Sequence, residues 1–140
     1  MLIAKDFKWE MAHRLPFHKG ACKNVHGHSY NMTVKVEGDL DEQGLLIDFY
    51  DLKRIVNPLV AELDHACIIC KDDTDLILAL APLHTKVSIV DFHSTVENLC
   101  GYFLEKISKA GLPSNIKRVG VKIYETKSSY AEDFITLVRE

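Results

Sequence analysis

The chain opens on a two-residue alternation. In "LIAKDFKWEMAHRL" apolar and aromatic residues recur at alternate positions, which predicts a strand over about Leu2 to Arg14. Pro16 and "HKGACKN" then open a loop. Alternation resumes in "HSYNMTVKVEG". There His28, Tyr30, Met32, Val34 and Val36 share one face, because successive strand side chains point to opposite sides. "GLLIDF" reads as a short third strand. The period then changes. Phe49, Leu52, Ile55, Val56, Leu59 and Leu63 form a helical stripe, with Asp48 placed to cap it and Pro58 predicting a kink or break inside it. "LDHACII" closes that unit, "DDTDLILALAPLH" suggests a short helix and "KVSIVDF" a strand. "HSTVENLCGYFLEKISKAGLP" is a helix, with Ser94 and Glu97 in capping-box spacing and Gly111 and Pro113 marking its end. "IKRVGVKIYET" alternates again, with Val119, Val121 and Ile123 on one face, and "SSYAEDFITLVR" follows as a final strand. Paired strands with helices between them predict a mostly antiparallel α+β domain.

Composition narrows this only slightly. With 140 residues, 47% of them apolar and 26% charged, the chain suits one globular domain spanning residues 1–140. No repeat, low-complexity segment or linker divides it. A net charge of −3 provides no general basic field for nucleic acid. No apolar run approaches the length of a membrane span, and "MLIAKDFKWEMAHRL" is too polar for a signal peptide. A cytoplasmic protein is therefore expected, with Cys22, Cys67, Cys70 and Cys100 reduced.

The chemistry concentrates in "CKNVHGHSYNM". His26 and His28 form an H-x-H, and on a strand both imidazoles project from the same face. Gly27 adds no side chain between them. His13 lies near the end of the preceding strand, so pairing of the two strands would bring a third imidazole to the same point. Three neutral imidazoles with a fourth position open is the catalytic style of zinc site. Cys22 is a fourth ligand, a free thiolate nucleophile or base beside the metal, or a loop cysteine with no role. His18, His84 and His93 have no comparable partners and read as surface or loop residues. The lone Cys67-x-x-Cys70 encloses two isoleucines and is more simply a pair of buried cysteines, as Cys100 is within its amphipathic helix. Asp64 beside His65 can orient an imidazole for proton transfer. Glu125 at the end of a strand reads as a solvated carboxylate or a ligand anchor. Glu97 and Thr95 sit at a helix start, where capping explains them.

Taken in order, "FKWEMAHRLP", "CKNVHGHSY", "LIDFYDLK", "LDH", "STVEN" and "YET" resemble the 6-pyruvoyltetrahydropterin synthase and 6-carboxytetrahydropterin synthase family over nearly the whole chain. The resemblance implies the tunnelling fold: an antiparallel four-stranded sheet with two helices packed on one face. Three subunits join their sheets into a barrel, and two trimers commonly stack into a hexamer. It also implies His13, His26 and His28 as zinc ligands and Cys22 as the catalytic thiol. His65 with Asp64 is then the relay that ionises it, Glu125 the acid that holds the pterin, and Thr95 part of the segment flanking the pterin. Sites in this family lie between subunits. The implied substrate is a pterin triphosphate, 7,8-dihydroneopterin triphosphate, with Lys35, Lys122 and Lys127 as candidate cations for its triphosphate.

Two branches of the family fit unequally. Three residues separate Cys22 from the H-G-H, as in the queuosine-pathway branch, and "ETKSSYAEDF" is similar to that branch. The expected reaction is thus formation of 6-carboxy-5,6,7,8-tetrahydropterin with loss of acetaldehyde and triphosphate. "STVEN" reads more like the pyruvoyl branch, which eliminates triphosphate alone. A non-catalytic zinc-stabilised subunit and a zinc hydrolase are the readings from other classes; neither needs Cys22.

Overall fold

The computed structural model describes residues 1–138, so Arg139 at the end of the expected last strand lies outside the described residues. Six strands form one sheet: β1 (Leu2–His13), β2 (His26–Gly38), β3 (Ala66–Cys70), β4 (Val87–Val90), β5 (Ile116–Tyr124) and β6 (Tyr130–Thr136). Their order is β4-β3-β1-β2-β5-β6. The four long strands β1, β2, β5 and β6 pair antiparallel, while β3 and β4 extend the sheet by parallel pairing beside β1. The expected four-stranded antiparallel sheet is therefore present, with two short strands added at one edge.

Alternation sets which face is buried. Phe7, Trp9 and Met11 of β1, Tyr30, Met32, Val34 and Val36 of β2, and Val119, Val121 and Ile123 of β5 belong to one core. Helices α1 (Phe49–Leu63) and α3 (Val96–Ser108) supply the other side of it, through Leu52, Val56 and Leu63 and through Leu99, Phe103 and Ile107. Each such side chain, fully buried, contributes roughly 1.5–3 kcal/mol of transfer free energy. A short third helix, α2 (Thr74–Leu80), makes a smaller cluster of Leu76 with Cys67 and Ile69. Since Ile68 belongs to the main core and its neighbours Cys67 and Ile69 to the small one, α2 covers the opposite face of β3.

Three local expectations change and one holds. "GLLIDF" is not a strand: it is turn and bend leading into α1. The Asp41 carboxylate accepts from the Gln43 and Leu45 amides to hold a turn instead, and Leu46 and Ile47 are buried beyond it. Pro58 does not break α1, which runs through it on the exposed side. Asp48 does cap that helix, accepting from the Tyr50 amide at 2.8 Å. The α3 cap is Thr95, whose hydroxyl accepts from the Asn98 amide at 3.1 Å; Ser94 is buried and turned elsewhere.

Candidate metal centre and its surroundings

The register of one hairpin assembles the centre. His13 of β1 pairs with His26 of β2, and His28 pairs with Met11. Odd positions of β1 and even positions of β2 share a face, so three imidazoles meet at the end of the hairpin. Their ring centroids lie 4.7, 4.9 and 5.3 Å apart. One nitrogen from each lies within 4.8 Å of the other two, so the three could hold one metal ion. Gly27 lies opposite Ala12 on the other face, where an added Cβ would make ordinary contacts, the nearest with the Met11 carbonyl oxygen at 3.4 Å.

Hydrogen bonds fix how two of the rings present themselves. His13 Nδ1 lies 2.9 Å from the Ser94 carbonyl oxygen and 3.0 Å from its hydroxyl. His26 Nδ1 lies 2.7 Å from the Asn24 carbonyl oxygen. A carbonyl only accepts, so each Nδ1 carries the proton and each Nε2 keeps its lone pair. Burial pushes the His13 imidazole from 6.5 down to about 4, against the opposing Ser94 bond, and lowers His28 as well. Neutral rings are what a metal requires.

The fit to a cation is visible in what these nitrogens lack. Nε2 of His13 and of His28 are buried with no hydrogen-bond partner. The nearest oxygen, Oε1 of Glu125, stands 3.6 Å from each, beyond good hydrogen-bond distance. Electron-rich atoms facing one another across a gap suit an ion between them. Glu125 follows β5 and its amide donates to the Ser129 carbonyl at 3.0 Å, which ties it to the turn into β6. Tyr30, beneath the centre, has its phenol pushed up by burial and, less, by the Glu125 charge.

The remaining candidates lie apart from this group. Cys22 sits in a 3-10 turn, Ala21–Lys23, whose Cys22 carbonyl accepts from the Leu15 amide at 2.8 Å. Its sulfur is not among the mutually close donor atoms. Asp64 and His65 form a pair of their own, Nδ1 to Oδ1 at 2.9 Å, and the Asp64 carboxyl is held below the usual range first by the Glu10 amide and then by His65. His65 and His28 line the same cleft, of about 480 Å³, together with Glu10, Gly27, Cys67 and Lys86. Thr95 is engaged as the α3 cap. Of the candidate triphosphate cations, Lys35 is paired with Glu132, and Lys122 lies over the Tyr130 ring at 4.2 Å. Lys127 borders a small hollow with Asp6 and Thr33. Cys67 and Cys70 are buried three residues apart on one strand, hence on opposite faces, and cannot converge.

Ser94 and Lys86 are the residues that sequence patterns did not single out for the site. Ser94 matched a cap, and its contact with His13 spans 81 positions. Lys86 lies in a loop with no motif.

A six-stranded α+β sheet carrying a three-imidazole centre on its first hairpin narrows the class of protein. The family model described as 6-pyruvoyl tetrahydropterin synthase matches residues 2–134, and the chain belongs to that family. It is similar to the 6-carboxy-5,6,7,8-tetrahydropterin synthase of Haemophilus influenzae, 31% identical, covering 93% of this chain and 96% of that one. The enzyme of the same name from Aquifex aeolicus is 33% identical, covering 93% and 95%. Among solved structures, Plasmodium falciparum 6-pyruvoyl tetrahydropterin synthase superimposes with a TM-score of 0.76 at 20% identity, covering 97% and 98%. The Caenorhabditis elegans enzyme does so with 0.68 at 24%, covering 95% and 94%. The structural likenesses establish the fold, and the relatives establish an enzyme of the lyase class with the pterin-synthase function of its family. Among the described residues no helix is long and apolar enough to cross a membrane.

Proposed function

We propose that this chain is a zinc-dependent lyase that converts 7,8-dihydroneopterin triphosphate and one water to 6-carboxy-5,6,7,8-tetrahydropterin, acetaldehyde and triphosphate. The observation that carries the reading is the convergence of His13, His26 and His28, with the two buried Nε2 atoms left without partners. It is supported by relatives named for that product at about a third identity over most of their length.

His13, His26 and His28 would hold the ion. When bound there, zinc supplies Lewis acidity toward the adjacent hydroxyls of the substrate side chain and makes the neighbouring C–H more acidic. Cys22 is assigned the base, because its sulfur lies outside the mutually close donor set. Its thiolate takes the side-chain proton, so that the pterin double bond moves toward the side chain. Asp64 orients His65 through the 2.9 Å bond, and His65 accepts the thiol proton. Glu125 is assigned the pterin: one carboxylate matches two nitrogen donors on one edge of a planar ring. Thr95 flanks that ring. Assembly as a trimer or a pair of trimers, with sites completed between subunits, belongs to the same reading.

A second product is possible on the same machinery. "STVEN" is similar to the pyruvoyl branch, in which triphosphate leaves and the side-chain carbons stay. Incubating purified protein with dihydroneopterin triphosphate and weighing the pterin product separates the two. A 6-carboxy product with acetaldehyde supports the first reading, a pyruvoyl product the second, and unchanged substrate overturns both.

A further inference from the structure

We propose that Lys86 is a positioning residue for His65, acting by pinning the peptide unit that joins Asp64 to His65. This rests on the assignment of His65 to proton transfer. His65 has φ of 61°, in the left-handed region that side chains other than glycine seldom adopt. Something must hold it there. The amide of His65 donates to the Glu10 carbonyl at 2.6 Å, which fixes one end of the peptide plane. The other end is the Asp64 carbonyl, and Lys86 Nζ donates to it at 2.7 Å. A second donation, to the Ala61 carbonyl at 2.7 Å, places the same ammonium across the C-terminus of α1. That helix has no basic residue in its own last turn, so Lys86 supplies the cation that the exposed carbonyls attract.

Lys86 is itself well placed. Its own carbonyl accepts from the Cys67 amide at 3.0 Å, which docks its backbone against β3. A peptide held at both ends cannot rotate, and its plane determines where the His65 ring projects into the shared cleft. The Asp64 carboxylate, which accepts from the Glu10 amide at 3.0 Å, then stays within hydrogen-bond distance of the ring, at 2.9 Å from Nδ1. Without Lys86 the Asp64 carbonyl is free to turn. The peptide relaxes toward ordinary φ, and the imidazole leaves its aim while the exposed side chain's loss costs the fold little.

Lys86→Met keeps the aliphatic stem and removes the donors. The expected result is a fall in kcat of about 10- to 100-fold, the scale of a misplaced catalytic group, with KM little changed. Amide hydrogen exchange at His65 should accelerate by at least about tenfold while exchange in β2 and β5 stays unchanged. In a His65→Asn background, Lys86→Met should lower kcat no further, because a residue that acts only through His65 has nothing left to position. Equal fractional losses in both backgrounds, or wild-type kcat in Lys86→Met, would overturn the inference. If His65→Asn alone retains full turnover, it is the proton-transfer assignment that fails, whatever exchange shows at residue 65.

Discussion

His13 is a titratable group whose surroundings yield a magnitude. Its imidazole falls from 6.5 to about 4, chiefly because burial strips water from the charged form; Ser94 opposes the shift, while His26 and His28 add to it. In metal-free protein the unfolded chain therefore binds a proton at His13 that the folded chain refuses, from pH 6.5 down to about 4. The stability contributed by the neutral ring is fully present above that window and is lost as pH falls through it. Between pH 7 and pH 4.5 the loss works out at about 2 kcal/mol, one pKa unit being worth about 1.4 kcal/mol. Urea unfolding of chelator-treated wild-type protein and of His13→Gln, at both pH values, isolates the contribution. The wild-type stability minus that of the variant should shrink by about 2 kcal/mol on acidification. His28 is lowered by burial too, and titrates in both proteins. A difference that changes by less than about 0.5 kcal/mol, near the error of such extrapolations, refutes the claim that the fold holds His13 neutral.

Three further outcomes are expected. Cys22→Ala should keep its full metal content by elemental analysis and lose turnover by at least about a hundredfold, the contribution of a positioned base; metal loss would instead make Cys22 a ligand. In the native enzyme Cys22 should also be the first thiol alkylated, since Cys67, Cys70 and Cys100 are buried and burial pushes the Cys100 thiol up to about 11. Gly38→Ala should lower stability by about 2 kcal/mol or more, as overpacking against backbone does. A Cβ there would run into the Asn115 carbonyl oxygen, where the β2–β5 register shifts; an unchanged melting temperature would show that this backbone yields.

The hairpin was legible because two patterns coincide on it. A period of two fixes which face is buried, and H-x-H on that period aims two imidazoles at one point. Pairing β1 with β2, adjacent in sequence, then brings His13 in without further information. Legibility stopped where partners are distant or where two local rules compete. "STVE" satisfies a capping box from Ser94, yet Thr95 satisfies the cap one residue later, and that shift frees Ser94 to meet His13. "ACIIC" is apolar at every position, so alternation cannot mark it as a strand; its parallel pairing with β1 and the arrival of α2 on its other face bury both sides. Glu125 was readable as a strand-end carboxylate, but its approach to His13 and His28 depends on β5 lying beside β2.

That hairpin also orders events in time. All three imidazoles belong to the first 28 residues of the chain, and closing one short loop, from residue 14 to residue 25, completes the set. Loop closure of that length is a small entropic cost and a fast step. Ser94 and Glu125 leave the ribosome much later, with most of the sheet. The three imidazoles are thus contributed early in the chain, while the groups that orient and approach them come late: Ser94, which bonds His13, stands just before α3, and Glu125 just after β5.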